Sequence, residues 1–319
     1  MHPSRSDGPR APFPFLVGCG RSGTTLLRAM CDAHPSLAVP PESHFVVAFA
    51  PASSGAVDAG ELAARLAASE RFALWGLDEV TVRDALVEAA PRTYADAVRA
   101  VFACYADRRG KPRYADKTPV YVLHIDRLAA LFPESVFVHL VRDGRDVACS
   151  FLELGWADSI EEAALHWRRR VTAGRRAGHK LPAGRYVEMR YEDLVDSPEQ
   201  ALRRMCDAAA LPFDEAMLDP SAGAAELVRT TAHPEYHRHL ALPPTAGLRD
   251  WRRQLDSGQL DRFELLAGTT LEAFGYERVA PRPSAAARRD AAVHWARWQA
   301  HRVSKRVSRR DERPGRPSS

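Results

Sequence analysis

The chain lacks the features that mark several large classes of protein. Its 319 residues include only four lysines and five cysteines, and the cysteines form no Cys-x-x-Cys pair. Neither a disulfide framework nor a zinc site is indicated, which predicts a reducing compartment. No run approaches the roughly 20 apolar residues that span a bilayer, and Met1–Pro14 lacks the apolar core of a signal peptide. We therefore expect a cytoplasmic protein without a bound metal.

Positive charge is concentrated near the C-terminus. The formal net charge is +4, but residues 282–319 contain eleven Lys or Arg against three Asp or Glu. The preceding part is mildly acidic, so the net charge does not predict binding to nucleic acid. We expect residues 281–319 to form a basic tail that is helical at first and disordered from Arg309 onward. The helix is interpreted either as packed on the main domain or as a contact with an anionic membrane or a partner.

Short apolar segments alternate with segments of helical periodicity. Phe15–Val17 and Ser135–Val141 are predicted strands, and Thr24–Ala33 is a predicted helix. This alternation predicts an α/β fold in which a central parallel sheet is flanked by helices. We expect a disordered segment at 1–14 and one domain at 15–280. Two more strands are expected, at Leu37–Val39 and Arg185–Met189, and a loop is expected at Asp116–Pro119.

A glycine-rich turn, Gly18-Cys-Gly-Arg-Ser-Gly-Thr-Thr25, joins the first strand to the first helix. Backbone amides in such a turn, together with a helix N-terminus, form a site for an anion. The spacing is that of a nucleoside triphosphatase loop, but Thr24 stands where that loop requires lysine, and Arg21 supplies the cation instead. The turn therefore favours anion binding over plain packing and weakens a kinase or ATPase interpretation.

An arginine follows the strongest predicted strand, in Val141-Arg-Asp-Gly-Arg145. Triphosphatases place a magnesium-binding aspartate in this region. Arg142 at the carboxyl end of a parallel strand can hold a second phosphate, with Ser150 completing the site. The alternative is a surface ion pair between Arg142 and Asp143. Two positively charged sites for anions, without an evident metal-binding aspartate, predict a nucleotide that carries phosphates at two ends.

The two motifs resemble the donor-binding motifs of sulfotransferases, most closely those of the protein-tyrosine and carbohydrate branch. Arg21-Ser-Gly-Thr-Thr-Leu-Leu-Arg-Ala-Met-Cys-Asp-Ala-His-Pro35 is very similar to a tyrosylprotein sulfotransferase segment. The resemblance implies a P-loop-like, three-layer α/β fold. It also implies metal-free transfer of a sulfuryl group from 3′-phosphoadenosine 5′-phosphosulfate (PAPS) to a hydroxyl acceptor.

The resemblance also assigns roles to individual residues. Glu42 falls on the general base, Lys117 on a lysine that contacts the transferring group, and Tyr191 on a tyrosine that contacts the donor. His44 is the rival base, since a neutral imidazole accepts protons near pH 7. The expected catalytic residues are Glu42, Arg21, Lys117 and His44. The expected donor-binding residues are Gly20, Arg21, Ser22, Gly23, Thr24, Thr25, Arg142, Ser150 and Tyr191.

Several features leave alternatives open. The tyrosylprotein enzymes have paired glutamates where this chain has Pro41-Glu42, and Leu154 replaces an arginine of their second motif. The acceptor therefore remains a small molecule, a carbohydrate or a peptide tyrosine. A kinase-like phosphotransferase and a non-catalytic nucleotide-binding protein are the rival functions. Three further interpretations concern other segments. Gly247–Arg252 is similar to a nucleotide-covering loop, and Pro51–Arg108 and Leu218–Leu248 are expected to build the acceptor pocket. His233, His237 and His239 are not expected to be zinc ligands.

Overall fold

The computed structural model describes residues 10–51, 57–219, 250–279 and 285–311. The strands are β1 Phe13–Gly18, β2 Leu37–Ala38, β3 Arg113–Tyr114, β4 Asp116–Lys117, β5 Ser135–Val141 and β6 Tyr186–Arg190. The α-helices are α1 Thr24–Ala33, α2 Phe45–Ala48, α3 Ala59–Ala67, α4 Glu70–Ala73, α5 Glu79–Ala89, α6 Tyr94–Asp107, α7 Ile125–Leu131, α8 Gly144–Glu153, α9 Ile160–Gly178, α10 Tyr191–Asp196, α11 Pro198–Ala208, α12 Trp251–Gln254, α13 Ser257–Ala273 and α14 Ala285–Asp311. Short 3₁₀ helices span Pro119–Leu123 and Glu215–Leu218.

The central sheet is parallel and has the strand order β4-β1-β5-β6. Every residue of β1 and β5 is buried, as expected of strands covered on both faces. Side chains alternate between the two faces, so that Phe15 and Phe137 stack in one apolar layer while Leu16 and Val138 pack in the other. The predicted α/β fold, with helices on both faces of a parallel sheet, is confirmed.

The chain divides into two compact units. The first consists of residues 1–142 and 173–246, and the second of residues 143–172 and 247–319. All of the parallel sheet lies in the first unit. The domain boundaries expected at 15 and 280 stay a prediction.

Arg145 on α8 is the central polar residue of the second unit. Its guanidinium donates to both carboxylate oxygens of Asp143, at 3.0 and 2.8 Å, and to Glu264 Oε1 at 2.9 Å. It also lies over the Trp251 ring, 4.0 Å from the centroid. The Trp251 amide in turn donates to Asp146 Oδ1 at 3.1 Å. Paired carboxylates on both sides make burial of this charge tolerable.

The first strand begins earlier than the sequence predicted. Phe13 is buried and belongs to β1, so residues 13 and 14 are not part of a disordered N-terminus. Pro14 is tolerated because the Phe13 amide donates to Glu134 O on the β5 side, which turns the Pro14 nitrogen to the opposite side. On that side β4 pairs only with Phe15 and Leu16, so no hydrogen bond is lost.

The loop prediction also needs correction. Asp116–Lys117 is a strand rather than a loop, and its two polar residues give no apolar signal in the sequence. The strand expected at Leu37–Val39 is present as Leu37–Ala38, and it pairs in parallel with Arg113–Tyr114 in a separate two-stranded sheet.

The predicted C-terminal helix is confirmed as α14. It extends to Asp311, beyond the point at which disorder was expected, and residues 312–319 lie outside the described residues. Val293 and Trp295 are exposed on it. Within the described ranges, no helix is both long and apolar enough to cross a membrane.

His139 is a buried polar residue in the middle of β5. Its Nδ1 lies 2.7 Å from the Tyr186 hydroxyl, which donates to Glu188 Oε2 at 3.2 Å, and Arg175 pairs with the same carboxylate. Burial lowers the pKa of His139 to about 4, and Glu188 opposes this only in part. The folded protein therefore keeps this imidazole neutral over a range in which an unfolded chain protonates it.

This difference predicts a loss of stability in mild acid. An unfolded histidine gains its proton near pH 6.5, whereas folded His139 does so near pH 4. The free energy of unfolding should therefore fall as the pH drops from about 6.5 to about 4, by at most about 1.4 kcal/mol per pH unit from this residue. Urea unfolding at pH 7 and pH 5 should show a smaller loss in His139→Asn than in the wild type. An equal loss in both proteins would show that His139 is not responsible.

Candidate active site

Four expected site elements lie at the carboxyl ends of the four central strands. Lys117 ends β4, the glycine-rich loop follows β1, Arg142 follows β5 and Tyr191 follows β6. The strands are in register, since Leu16 pairs with Lys117, Gly18 with Leu140 and Val141 with Arg190. Because the strands are parallel, all of these ends share one edge of the sheet. That edge is where open α/β sheets bind ligands.

The loop after β1 is shaped for an anion. Arg21 and Gly23 both have positive φ, 69° and 88°. The first helical amide to bond back is that of Leu27, which donates to Gly23 O at 3.1 Å, so the amides of the first turn of α1 have no partner within the helix. The Ser22 hydroxyl is buried and has no hydrogen-bond partner within the described part of the chain. A phosphate or sulfate group supplies the partners that these donors need.

Tyr191 connects the loop to Arg142. A Cβ atom built on Gly23 would lie 2.3 Å from Tyr191 Cδ2, so the ring packs directly against the loop backbone. On the same ring lies the Arg142 guanidinium, 4.6 Å from the centroid. One aromatic side chain therefore sets the spacing between the two predicted anion sites.

Glu42 and Lys117 form the central ion pair of the site. Lys117 Nζ donates to Glu42 Oε1 at 2.7 Å, and the other carboxylate oxygen lies 2.9 Å from His44 Nε2. The Lys117 side chain is 3% exposed and that of Glu42 is 34% exposed. The carboxylate thus reaches solvent while its cation is buried at the end of a strand.

The charges of this pair determine each other's protonation. Burial raises the pKa of Glu42, but the Lys117 ammonium and the hydrogen bond from His44 outweigh it, and the net pKa is well below the usual value. Burial is also the largest effect on Lys117 and lowers its pKa, while Glu42 raises it in part. Asp116, which precedes Lys117, is fully buried, and burial raises its pKa to about 6, although the nearby Ser43 and Thr118 side chains oppose this in part.

His44 lies beside Glu42 with a positive φ of 45°. Its Nε2 contacts both the Glu42 carboxylate and Nη1 of Arg71 on α4. Arginine can only donate and an ionised carboxylate can only accept, so the protonation of Nε2 decides which contact is satisfied. The two rival bases therefore belong to one hydrogen-bonded cluster.

Two positioning residues on α1 were missed in the sequence. Arg28 is fully buried and its Nε donates to Val39 O at 3.0 Å, while Asp32 Oδ1 accepts from the Val39 amide at 2.8 Å. Together they hold the chain just before Glu42. Their four-residue spacing, which places them on one helix face, was the available signal.

Other expected site residues lie in the second unit or outside the described residues. Ser150 is buried on α8 in the second unit, and its part in donor binding stays a prediction. Residues 220–248 of the expected acceptor region lie outside the described residues, and with them the three histidines that were not expected to bind zinc. Residues 247–249 of the expected nucleotide-covering loop lie outside them too. In the part of the chain that the structure describes, no three His, Cys, Asp or Glu residues are grouped to hold a metal.

A family model described as "Sulfotransferase family" matches residues 12–215, which include the loop, Glu42, Lys117, Arg142 and Tyr191. This chain belongs to the sulfotransferase family. Membership of the family indicates a transferase.

Named relatives agree with this assignment. The chain is 26% identical over 212 residues to a putative protein-tyrosine sulfotransferase of Caenorhabditis briggsae, covering 64% of this chain and 67% of the relative. It is 29% identical over 238 residues to the nodulation protein NoeE of Sinorhizobium fredii, covering 67% and 53%. The chain thus spans about half the length of NoeE. The sulfotransferase domain from the Synechococcus PCC 7002 olefin synthase superposes with a TM-score of 0.59 at 25% identity, covering 86% of this chain and 98% of that domain.

The contact between Gly23 and Tyr191 predicts a large cost in stability for a side chain at position 23. Gly23→Ala combines a positive φ with a clash against the ring, and should lower the free energy of unfolding by about 2–4 kcal/mol. Gly110 has a φ of 66°, and a Cβ atom built on it would meet nothing within 4 Å, so Gly110→Ala is the matched control, at about 1 kcal/mol. Denaturant unfolding measures both, and equal losses would mean that Tyr191 does not pack on the loop.

Proposed function

We propose that this chain transfers a sulfuryl group from PAPS to a hydroxyl acceptor. The observation that carries the proposal is the ion pair between Lys117 and Glu42. Lys117 lies on β4, the strand next to β1, and the glycine-rich loop follows β1. A cation and a carboxylate in contact at this edge provide both charge stabilisation and a proton acceptor. Arg142 at the end of the neighbouring strand supports a second phosphate group on the same ligand.

The loop accounts for one end of the donor. Amides of the first turn of α1, the Ser22 hydroxyl and Arg21 would hold the 5′-phosphosulfate. Arg142, placed by the Tyr191 ring, would hold the 3′-phosphate. Since Gly23 packs on Tyr191, the distance between the two groups is fixed by the fold rather than by flexible side chains.

Transfer requires one bond to form and one to break at sulfur. The acceptor oxygen attacks in line, its proton passes to Glu42, and the bond from sulfur to the 5′-phosphate oxygen breaks. Negative charge then grows on that phosphate oxygen, where Lys117 and Arg21 stabilise it. The products are a sulfate ester and adenosine 3′,5′-bisphosphate.

The ion pair gives Glu42 a basicity that changes during the reaction. While Lys117 holds the carboxylate, the pKa of Glu42 is low and it is a weak base. As charge develops on the leaving oxygen, the ammonium is drawn to it and the carboxylate becomes more basic. Proton acceptance is thereby linked to departure of the leaving group.

The acceptor is proposed only as a hydroxyl compound. Relatives named as protein-tyrosine sulfotransferases point to a phenolic hydroxyl as one class. Pro41-Glu42, in place of the paired glutamates of those enzymes, leaves small molecules and carbohydrates as further classes.

Calorimetric titration with adenosine 3′,5′-bisphosphate and with MgATP tests the donor. We expect tight binding of the bisphosphate, with at least about tenfold weaker binding in Arg142→Ala because a charge-assisted bidentate contact is lost. Arg83→Ala, an exposed residue on α5, serves as the control and should bind as the wild type does. Tight MgATP binding without a response to the bisphosphate would instead support a phosphotransferase.

Transfer from ³⁵S-labelled PAPS to a panel of phenols, sugars and tyrosine peptides tests the base. Glu42→Gln removes the proton acceptor but keeps its size, and should lower the rate by about 10²-fold or more. His44→Gln should lower it by less than about tenfold, because it removes a neighbour of the base rather than the base. The reverse order would make His44 the base, and no transfer by the wild type to any acceptor would favour a binding protein.

A further inference from the structure

Buried hydroxyl groups hold the backbone at Ser43, the residue that follows Glu42. The Ser43 amide donates to Thr118 Oγ1 at 3.0 Å, and Ser43 Oγ lies 3.3 Å from the same oxygen and 3.0 Å from the Tyr121 hydroxyl. Ser43, Thr118 and Tyr121 are 4%, 0% and 2% exposed. A buried amide without an acceptor is costly, so the Thr118 hydroxyl specifies where this backbone lies.

Thr118 directly follows Lys117, whose ammonium binds the Glu42 carboxylate. Two consecutive residues therefore hold two consecutive residues: Lys117 binds the side chain of Glu42, and Thr118 binds the amide of Ser43. Lys117 is itself paired with Leu16 of the central sheet. These two contacts, which we call the anchor, fix the position of the Glu42 carboxylate relative to the edge of the central sheet.

The other end of the same segment is anchored to the helix that follows the anion loop. Arg28 and Asp32 hold the carbonyl and the amide of Val39. Beyond Ser43 the chain enters the positive φ of His44, a conformation that costs free energy and needs support from its surroundings. Glu42 lies between these two anchors.

We infer that Thr118 is a positioning residue for the base: its hydroxyl holds the Ser43 amide so that the Glu42 carboxylate stays on Lys117 and faces the acceptor. This inference rests on the proposed function, in which Glu42 takes the proton. Tyr121 extends the anchor through the Ser43 hydroxyl and has a smaller effect.

Loss of the anchor should be visible in the titration of Glu42. The charged or titratable groups that face this carboxylate are Lys117 and His44, with Arg28 and Asp116 nearby and Arg71 in contact with the same nitrogen of His44. Lys117 is the cation that chiefly lowers its pKa. A carboxylate that drifts from Lys117 therefore regains protons at higher pH.

The test is a ¹³C NMR titration of glutamate side-chain carboxyls in the full chain. In the wild type we expect Glu42 to stay ionised at a pH at which ordinary glutamates are largely protonated, and in Thr118→Val its midpoint should rise toward the ordinary value of about 4.3. Thr118→Ser, which keeps the hydroxyl, should restore the wild-type titration. Thr270→Val, at a buried threonine of the second unit, should leave it unchanged.

Transfer kinetics give the second readout. Thr118→Val should lower kcat about tenfold or more, since a small displacement of a catalytic group is costly, while the Kd of adenosine 3′,5′-bisphosphate stays within about twofold. If Thr118→Val does not fold, Tyr121→Phe should show the same shifts in smaller measure. A Glu42 titration and a kcat that match the wild type in the folded variants would overturn the inference. Failure of the wild type to bind the bisphosphate or transfer sulfate would instead overturn the proposed function, and the titration would still decide the role of Thr118.

Discussion

The contact of 2.7 Å between Lys117 Nζ and Glu42 Oε1 is the interaction on which the site depends. An ammonium buried at the end of a strand is costly unless a carboxylate accompanies it, and here the carboxylate comes from a segment outside the central sheet. The pair therefore ties that segment to the sheet edge. It also lowers the pKa of Glu42, which keeps the carboxylate ionised.

The parallel sheet explains how a few residues that are far apart in the sequence come together in one candidate site. Each of its four strands ends in, or leads directly into, one element of the site: Lys117, the glycine-rich loop, Arg142 and Tyr191. Because register aligns these ends, groups that are far apart in sequence are brought to one edge without long loops. The Tyr191 ring then sets the spacing between the loop and Arg142.

Sequence patterns predicted the parts of this arrangement that are local or that follow a known motif. The glycine-rich loop, the apolar strand β5 and the helix α1 all carry strong signals of spacing or composition. Glu42, Lys117 and Tyr191 were found through resemblance, because a lone charged or aromatic residue has no signature of its own. Their functional roles remain predictions.

The parts that were missed depend on contacts over long sequence distances. The bond from Ser43 to Thr118 joins residues 75 positions apart, and no local pattern reports such a pairing. β4 consists of one Asp and one Lys, so it was interpreted as a loop, although its pairing with β1 is what places Lys117. The strand β1 begins at Phe13, before Pro14, because the Pro14 nitrogen turns away from β5, and the sequence does not report the side to which it turns.

The pH dependence of sulfuryl transfer tests most directly whether Glu42, held by Lys117, is the base. With the pKa of Glu42 well below its usual value, kcat/KM should have the same profile between pH 5 and 8 in the wild type and in His44→Gln. If His44 were the base, the wild-type rate would instead fall toward the acid end of this range. That fall would be absent from His44→Gln, whose residual rate would be low at every pH, and this result would contradict the assignment.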